Sequence, residues 1–274
     1  MIVVELRKLA RRPRTWVSLA LLCGLPATVA VFLATTRVGT GQGQGPALLA
    51  AVLANGALFP AAALAIVLPV FLPVSVAMLG GDGIAGEANA GMLRYLLARP
   101  VGRTRLLVAK LVALVVFTLV AVVSVVVSSY VIGVNLFPPQ PGQDVGVVVA
   151  SVSGPALTPT QFVLRIGAAM LYVGVSMLGV GAIALFLSTL TDSSLGATLG
   201  ALAALVGSQL LATLDAAASV RPYLPTRYWL AWIDFFREPI LWRDIERGLA
   251  IQAVYVVVFL GLAWANFATK DVKS

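Results

Sequence analysis

GGDGIAGEANAGMLRYLLARPVGRTRLLVAK, residues 80–110, decides the reading of this chain. It carries seven charged side chains: Asp82, Glu87, Arg94, Arg99, Arg103, Arg105 and Lys110. A hydrocarbon core rejects charge at that density, because each ion forfeits its hydration there. Yet residues 56–79 before it and 106–135 after it are apolar enough to cross a bilayer. A structured polar segment hung between two spans sits in water or against another protein.

Working outward, composition agrees. The chain is 60% hydrophobic and 11% charged, with a mean hydropathy of +0.99; soluble domains carry roughly 25% charged residues. Six runs reach spanning length, at 15–36, 56–79, 106–135, 162–190, 195–214 and 249–267. They are apolar all round, unlike the helices of a soluble bundle. No ten-residue alternation points to a barrel, and lipid tolerates only helices otherwise. The expected fold is an all-α integral membrane protein, a single transmembrane domain over residues 1–274. Pro60, Pro69 and Pro73 predict a kink or break in the second span.

Basic residues set the orientation. Twelve of the nineteen lie in three places: Arg7, Lys8, Arg11, Arg12 and Arg14; Arg94, Arg99, Arg103, Arg105 and Lys110; Lys270 and Lys273. Both termini and segment 80–110 are therefore expected on the cytoplasmic side of the cell membrane. The net charge of +8 follows from this bias, with no nucleic acid required. Ile2, Val3, Leu6, Leu9 and Ala10 keep helical spacing, opposite Glu5, Lys8, Arg11 and Arg12. This predicts an interfacial helix with its basic face toward anionic headgroups. A cleaved leader would have a shorter apolar run and a small-residue cleavage site.

Within the segment, Asp82 is placed to cap a short helix, and Leu93, Leu96 and Leu97 follow helical spacing until Pro100 and Gly102. Taken alone, these residues read equally well as an ordinary solvated loop. The series Asp82-Gly83-Ile84-Ala85-Gly86-Glu87, Gly91-Met92-Leu93, Leu96-Leu97-Ala98-Arg99-Pro100-Val101, Arg103, Leu106-Leu107 and Lys110 resembles the ABC-2 type transporter permeases. Ala88, Asn89 and Met92 depart from that pattern. The resemblance implies a coupling helix between spans two and three that docks on a separate ATPase. It assigns coupling to Asp82, Gly83, Ile84, Ala85, Gly86, Glu87, Gly91, Leu93, Leu96, Leu97, Arg99, Pro100 and Arg103. Glu87 is expected to take charge-assisted bonds from the ATPase. The implied partners are two ABC ATPase subunits, which hold the ATP and Mg, a second permease copy or a similar permease, and membrane lipids.

The chain has no phosphate-binding loop of its own: its four lysines are Lys8, Lys110, Lys270 and Lys273, and none follows a glycine. With no histidine and one cysteine, Cys23, it offers no metal site and no Cys–His pair. It is expected to be no enzyme by itself and to bind no cofactor. The expected function is export of a hydrophobic or amphipathic drug, peptide or lipid. The alternative is a non-transporting scaffold or sensor that grips a cytosolic partner through residues 80–105.

The remaining polar positions, among them Ser75, Ser176, Ser208, Gln209 and Gln252, either line a substrate path or bond helix to helix. Gly196 and Gly200 form a small-residue pair suited to close helix packing. Arg165 is expected to snorkel to the outer interface. Residues 137–160 read as an irregular outer loop. Residues 215–247 read as short interfacial or re-entrant helices, with Tyr228, Trp229, Trp232 and Phe235 as an outer gate.

Overall fold

The computed structural model describes residues 1–36, 56–89, 102–138, 149–150 and 156–269. It is an all-α membrane protein. Helix α1 (Ile2–Arg11) precedes α2 (Pro13–Thr36), whose first residue is a proline, tolerated there because no intrahelical donor is lost. A 3₁₀ turn (Gly56–Leu58) leads into α3 (Phe59–Val67) and α4 (Phe71–Gly81), followed by the short α5 (Ala85–Asn89). The long helices α6 (Arg103–Leu136), α7 (Pro159–Leu190), α8 (Ser194–Thr213) and α9 (Trp242–Thr269) complete the bundle. Helix α6, at 34 residues, is about 50 Å long and outreaches a hydrocarbon core of about 30 Å.

Five helices are long and apolar enough to cross a membrane, six spans in all if the bent pair α3–α4 counts as one. That pair turns by 55° at residues 68–70. Pro69 explains the break: it has no N–H to donate and its ring clashes with the preceding turn. The freed Pro69 carbonyl accepts a bond from Gln209 Nε2 of α8 at 3.1 Å, so the interruption is satisfied inside the protein. Gln209 thereby bonds helix to helix.

Helix α7 runs through the centre, packing on α4, α6, α8 and α9, and is the most buried of the five unbroken spans. Helices α2 and α9 are largely exposed along their spanning windows. Small residues bring backbones together at two crossings. A Cβ on Gly56 would meet the Gly133 carbonyl carbon of α6 at 2.6 Å, and one on Gly81 would meet Thr198 N of α8 at 2.8 Å. Of the pair singled out in the sequence, Gly200 faces Leu187 of α7, whereas Gly196 faces Ser193 and Thr191 of the turn before its own helix.

One connection differs from the sequence reading. Within 137–160, Val149–Ala150 pairs antiparallel with Ala156–Leu157, a two-residue ladder inside a supposedly irregular loop. Residues 215–237 form three short 3₁₀ helices (Asp215–Ala217, Arg221–Tyr223, Ala231–Phe236). Pro222, Pro225 and the lack of an apolar repeat keep each turn short.

Candidate functional site

The C-terminal ends of α4, α7 and α9, the N-terminal end of α6, and the helices α1 and α5 gather at one end of the bundle. An apolar cluster of Ile84, Leu106, Leu107, Leu185, Ala263 and Phe267 forms its floor. Full burial of one such aliphatic side chain stabilises by about 1.5–3 kcal/mol, so Ile84 anchors the turn into α5.

Four charges close the junction beside this floor. Lys110 Nζ, on α6, lies 2.7 Å from Glu5 Oε2 of α1 and 2.5 Å from Glu87 Oε1 of α5. Lys8 Nζ, on α1, lies 2.8 Å from the same Glu87 oxygen and 3.2 Å from Glu5 Oε1. Two carboxylates and two ammonium groups alternate, and the set is neutral. Glu87 is 1% exposed, so its carboxylate turns inward instead of standing at a docking surface. The reason is distance: Lys8 and Lys110 reach it from neighbouring elements. Its second oxygen, Oε2, is buried without a partner among the described residues. The polar face of α1 likewise divides. Glu5 and Lys8 face the protein, while Arg7 and Arg11 are exposed.

Burial by itself would raise the Glu5 carboxyl, but Lys110 and then Lys8 outweigh it and hold the group below its ordinary 4.5. For Lys8 burial lowers, yet its bond and attraction to Glu87, then Glu5, hold it above 10.5. The Glu5 contribution is present above 4.5 and is lost as pH falls through the depressed value; that of Lys8 is present below 10.5 and is lost as pH rises through the elevated one. Docking of α1 should therefore be flat across neutral pH and weaken only beyond those two limits. Spin labels at positions 4 and 108, in a Cys23→Ala background, report it as a distance. A change between pH 6 and 8, about the middle of that window, would contradict the assignment.

Asp82 does not cap α5 among the described residues. Its carboxylate is drawn to Arg12 at 2.5 Å, with Arg14 at 3.9 Å. Ser188 of α7 takes over: its Oγ accepts from Ile84 N at 2.9 Å and Ala85 N at 2.8 Å and donates to the Gly81 carbonyl at 2.8 Å. One fully buried hydroxyl thus ties the segment's backbone to the central helix. Ser188→Ala leaves buried amides unpaired at about 1–3 kcal/mol each, so the exchange of the Ile84 and Ala85 amides should rise about tenfold or more. Hydrogen–deuterium exchange measures this; wild-type protection in the variant would refute the clamp. Gly83 completes the turn through its amide to the Gly80 carbonyl at 3.1 Å. Gly86 is needed because a Cβ there would meet Asp82 Cγ at 2.8 Å. Arg103 donates to the Phe267 and Ala268 carbonyls at 3.0 and 2.8 Å, tying α6 to the C-terminal end of α9. Gly91, Leu93, Leu96, Leu97, Arg99 and Pro100 lie outside the described residues.

Against known protein families, the profile of the ABC-2 family transporter protein matches residues 2–227. The chain belongs to the ABC-2 transporter family. No curated protein matches it significantly. This ABC-2 chain is thus a multi-pass membrane permease of an ABC transporter, a transport component and not itself catalytic, whose partner is an ABC ATPase.

At the far end of the ABC-2 permease, residues 223–238 are held by side chains from three helices. Tyr172 Oη donates to the Tyr228 carbonyl at 2.6 Å, Gln252 Nε2 to the Pro225 carbonyl at 2.6 Å, and Ser208 bonds Thr226 at 2.8 Å. Arg165 does not snorkel. It is buried, donating to the Arg237 carbonyl at 3.0 Å and pairing with Glu238, because the loop folds back over the start of α7. Ser208 and Gln252 therefore fasten helices to the loop. Trp229 (3% exposed), Trp232 (0%) and Phe235 are core residues, and Phe235 stacks edge-on against Tyr172 and Trp242. Tyr228 is half-buried above them.

Proposed function

We propose that this ABC-2 permease exports a hydrophobic or amphipathic compound across the cell membrane, driven by ATP hydrolysed on a separate subunit. Two permeases, alike or similar, work with two ATPases that hold the ATP and Mg. The junction end and both termini face the cytoplasm, in line with the twelve basic residues gathered there. ATPase closure presses on residues 80–105, and the load passes through the junction to the spans. The observation that carries this reading is the four-charge set joining α5 to α1 and α6. Charged groups are otherwise sparse in the spans, which favours an amphipathic solute over an ion. In this reading residues 228–235 gate the exit as one rooted unit rather than as loose side chains.

The test is reconstitution with the cognate ATPase in vesicles, reading ATP-dependent movement of an amphipathic fluorescent probe. Orientation is checked by an impermeant thiol reagent on cysteines at positions 88 and 142, in a Cys23→Ala background. Applied outside cells, it should modify 142 and spare 88. The reverse pattern would overturn the orientation, and ATP hydrolysis without probe movement would favour the scaffold alternative.

A further inference from the structure

Opposite the charged junction, the loop and the first turns of α9 border an open cavity of about 420 Å³, within the roughly 300–1,000 Å³ of ligand pockets. Its walls include Arg221, Arg227, Tyr228, Asp234, Asp244 and Arg247. Arg221 is paired with Asp215, and Asp234 with Arg237. The side chains of Arg227 and Arg247 have neither an ion pair nor a hydrogen bond to any described residue. They come from different elements yet line the same cavity. With Arg221 and Asp234 already paired elsewhere, Arg227 and Arg247 outnumber the one remaining carboxylate of the lining, Asp244, and a phosphate suits that excess because its oxygens match the planar donor fork. Three arginines against two aspartates leave the lining one positive charge in excess, which one phosphodiester neutralises.

The surface below the cavity narrows the choice. Ala250, Val254 and Val257 stand three, seven and ten residues after Arg247, on one stripe of α9. All three are exposed, Val254 at 61% and Val257 at 71%. At about 1.5 Å per residue, the stripe runs about 15 Å from Arg247, half the hydrocarbon thickness of a bilayer. A charged cavity continuous with an apolar track one leaflet deep fits one kind of molecule. We propose that the cavity holds the phosphate headgroup of a membrane phospholipid, with an acyl chain along the α9 stripe.

Native mass spectrometry of the full-length protein with phosphatidylglycerol, or with diacylglycerol of identical chains, tests this. One phosphatidylglycerol should be retained in preference to diacylglycerol. Arg227→Gln/Arg247→Gln should weaken retention about tenfold or more, as expected for lost charge-assisted bonds to phosphate. Arg243→Gln, which alters an exposed arginine outside the cavity lining, should leave it unchanged. Both arginines are exposed and carry no ion pair or hydrogen bond to a described residue, so the unfolding temperature of the lipid-free double variant should match wild type. Equal retention of the two lipids, wild-type retention by the double variant, or equal loss in Arg243→Gln would overturn the proposal. Displacement of the lipid by millimolar inorganic phosphate would assign the site to a soluble anion instead and would also overturn it. None of these outcomes depends on the direction of transport.

Discussion

Glu87→Ala is expected to cost about 3–5 kcal/mol and to abolish coupled transport, because it strands buried positive charge at the junction. Lys110 would keep only Glu5, and Lys8 would lose its shortest bond. Large as it is, this loss alone does not separate stability from transmission. Replacing both partners of a buried pair with apolar residues of similar size is often neutral for stability. Glu87→Leu/Lys110→Met should therefore fold while the ionic link between α5 and α6 is gone. Thermal unfolding in detergent distinguishes the two variants: the single should melt well below wild type and the double close to it. A single variant as stable as wild type would show that the lysines bring nothing to α5.

The second large effect is at the other end. Trp232→Ala should destabilise the permease by about 3–5 kcal/mol, the usual cost of emptying a buried aromatic site. Trp232 is fully buried, meets Phe236 edge-on at 6.1 Å, and belongs to the main apolar core. Its indole N–H has no partner among the described residues. Trp232→Phe removes that unsatisfied donor along with some volume, so it should be much milder than the alanine change. Size-exclusion profiles after heating read both. Equal stability of wild type and Trp232→Ala would mean that the tryptophan is a free flap rather than the root of the loop.

The six spans were legible because each is an apolar run bounded by polar or turn-forming residues. Their observed limits lie within seven residues of the expected ones, the largest gap being at the start of α9, where Trp242 precedes residue 249. The break at Pro69 was legible for a steric reason. The junction was not. Glu87 was singled out, but its partners lie 79 and 23 residues away on other elements, and no local periodicity reports such pairing. One signal was present: Lys110 sits inside an apolar run, and a lysine there needs a carboxylate. Glu5 and Lys8, one turn apart, read as a headgroup-facing surface because amphipathicity says which residues share a face, not what covers it. Ser188 carried no signal, since a serine near a helix end usually bonds its own backbone. The expectation that Arg165 snorkels assumes water at the helix end, whereas residues 237–238 occupy that place.

The central claim is that the junction transmits force from the ATPase to the spans. The most direct test is ATP-dependent probe transport and ATP hydrolysis by Glu87→Leu/Lys110→Met, assembled with the ATPase in vesicles. The account predicts an assembled complex that hydrolyses ATP and moves little or no probe. Wild-type transport per ATP hydrolysed in that variant would contradict it.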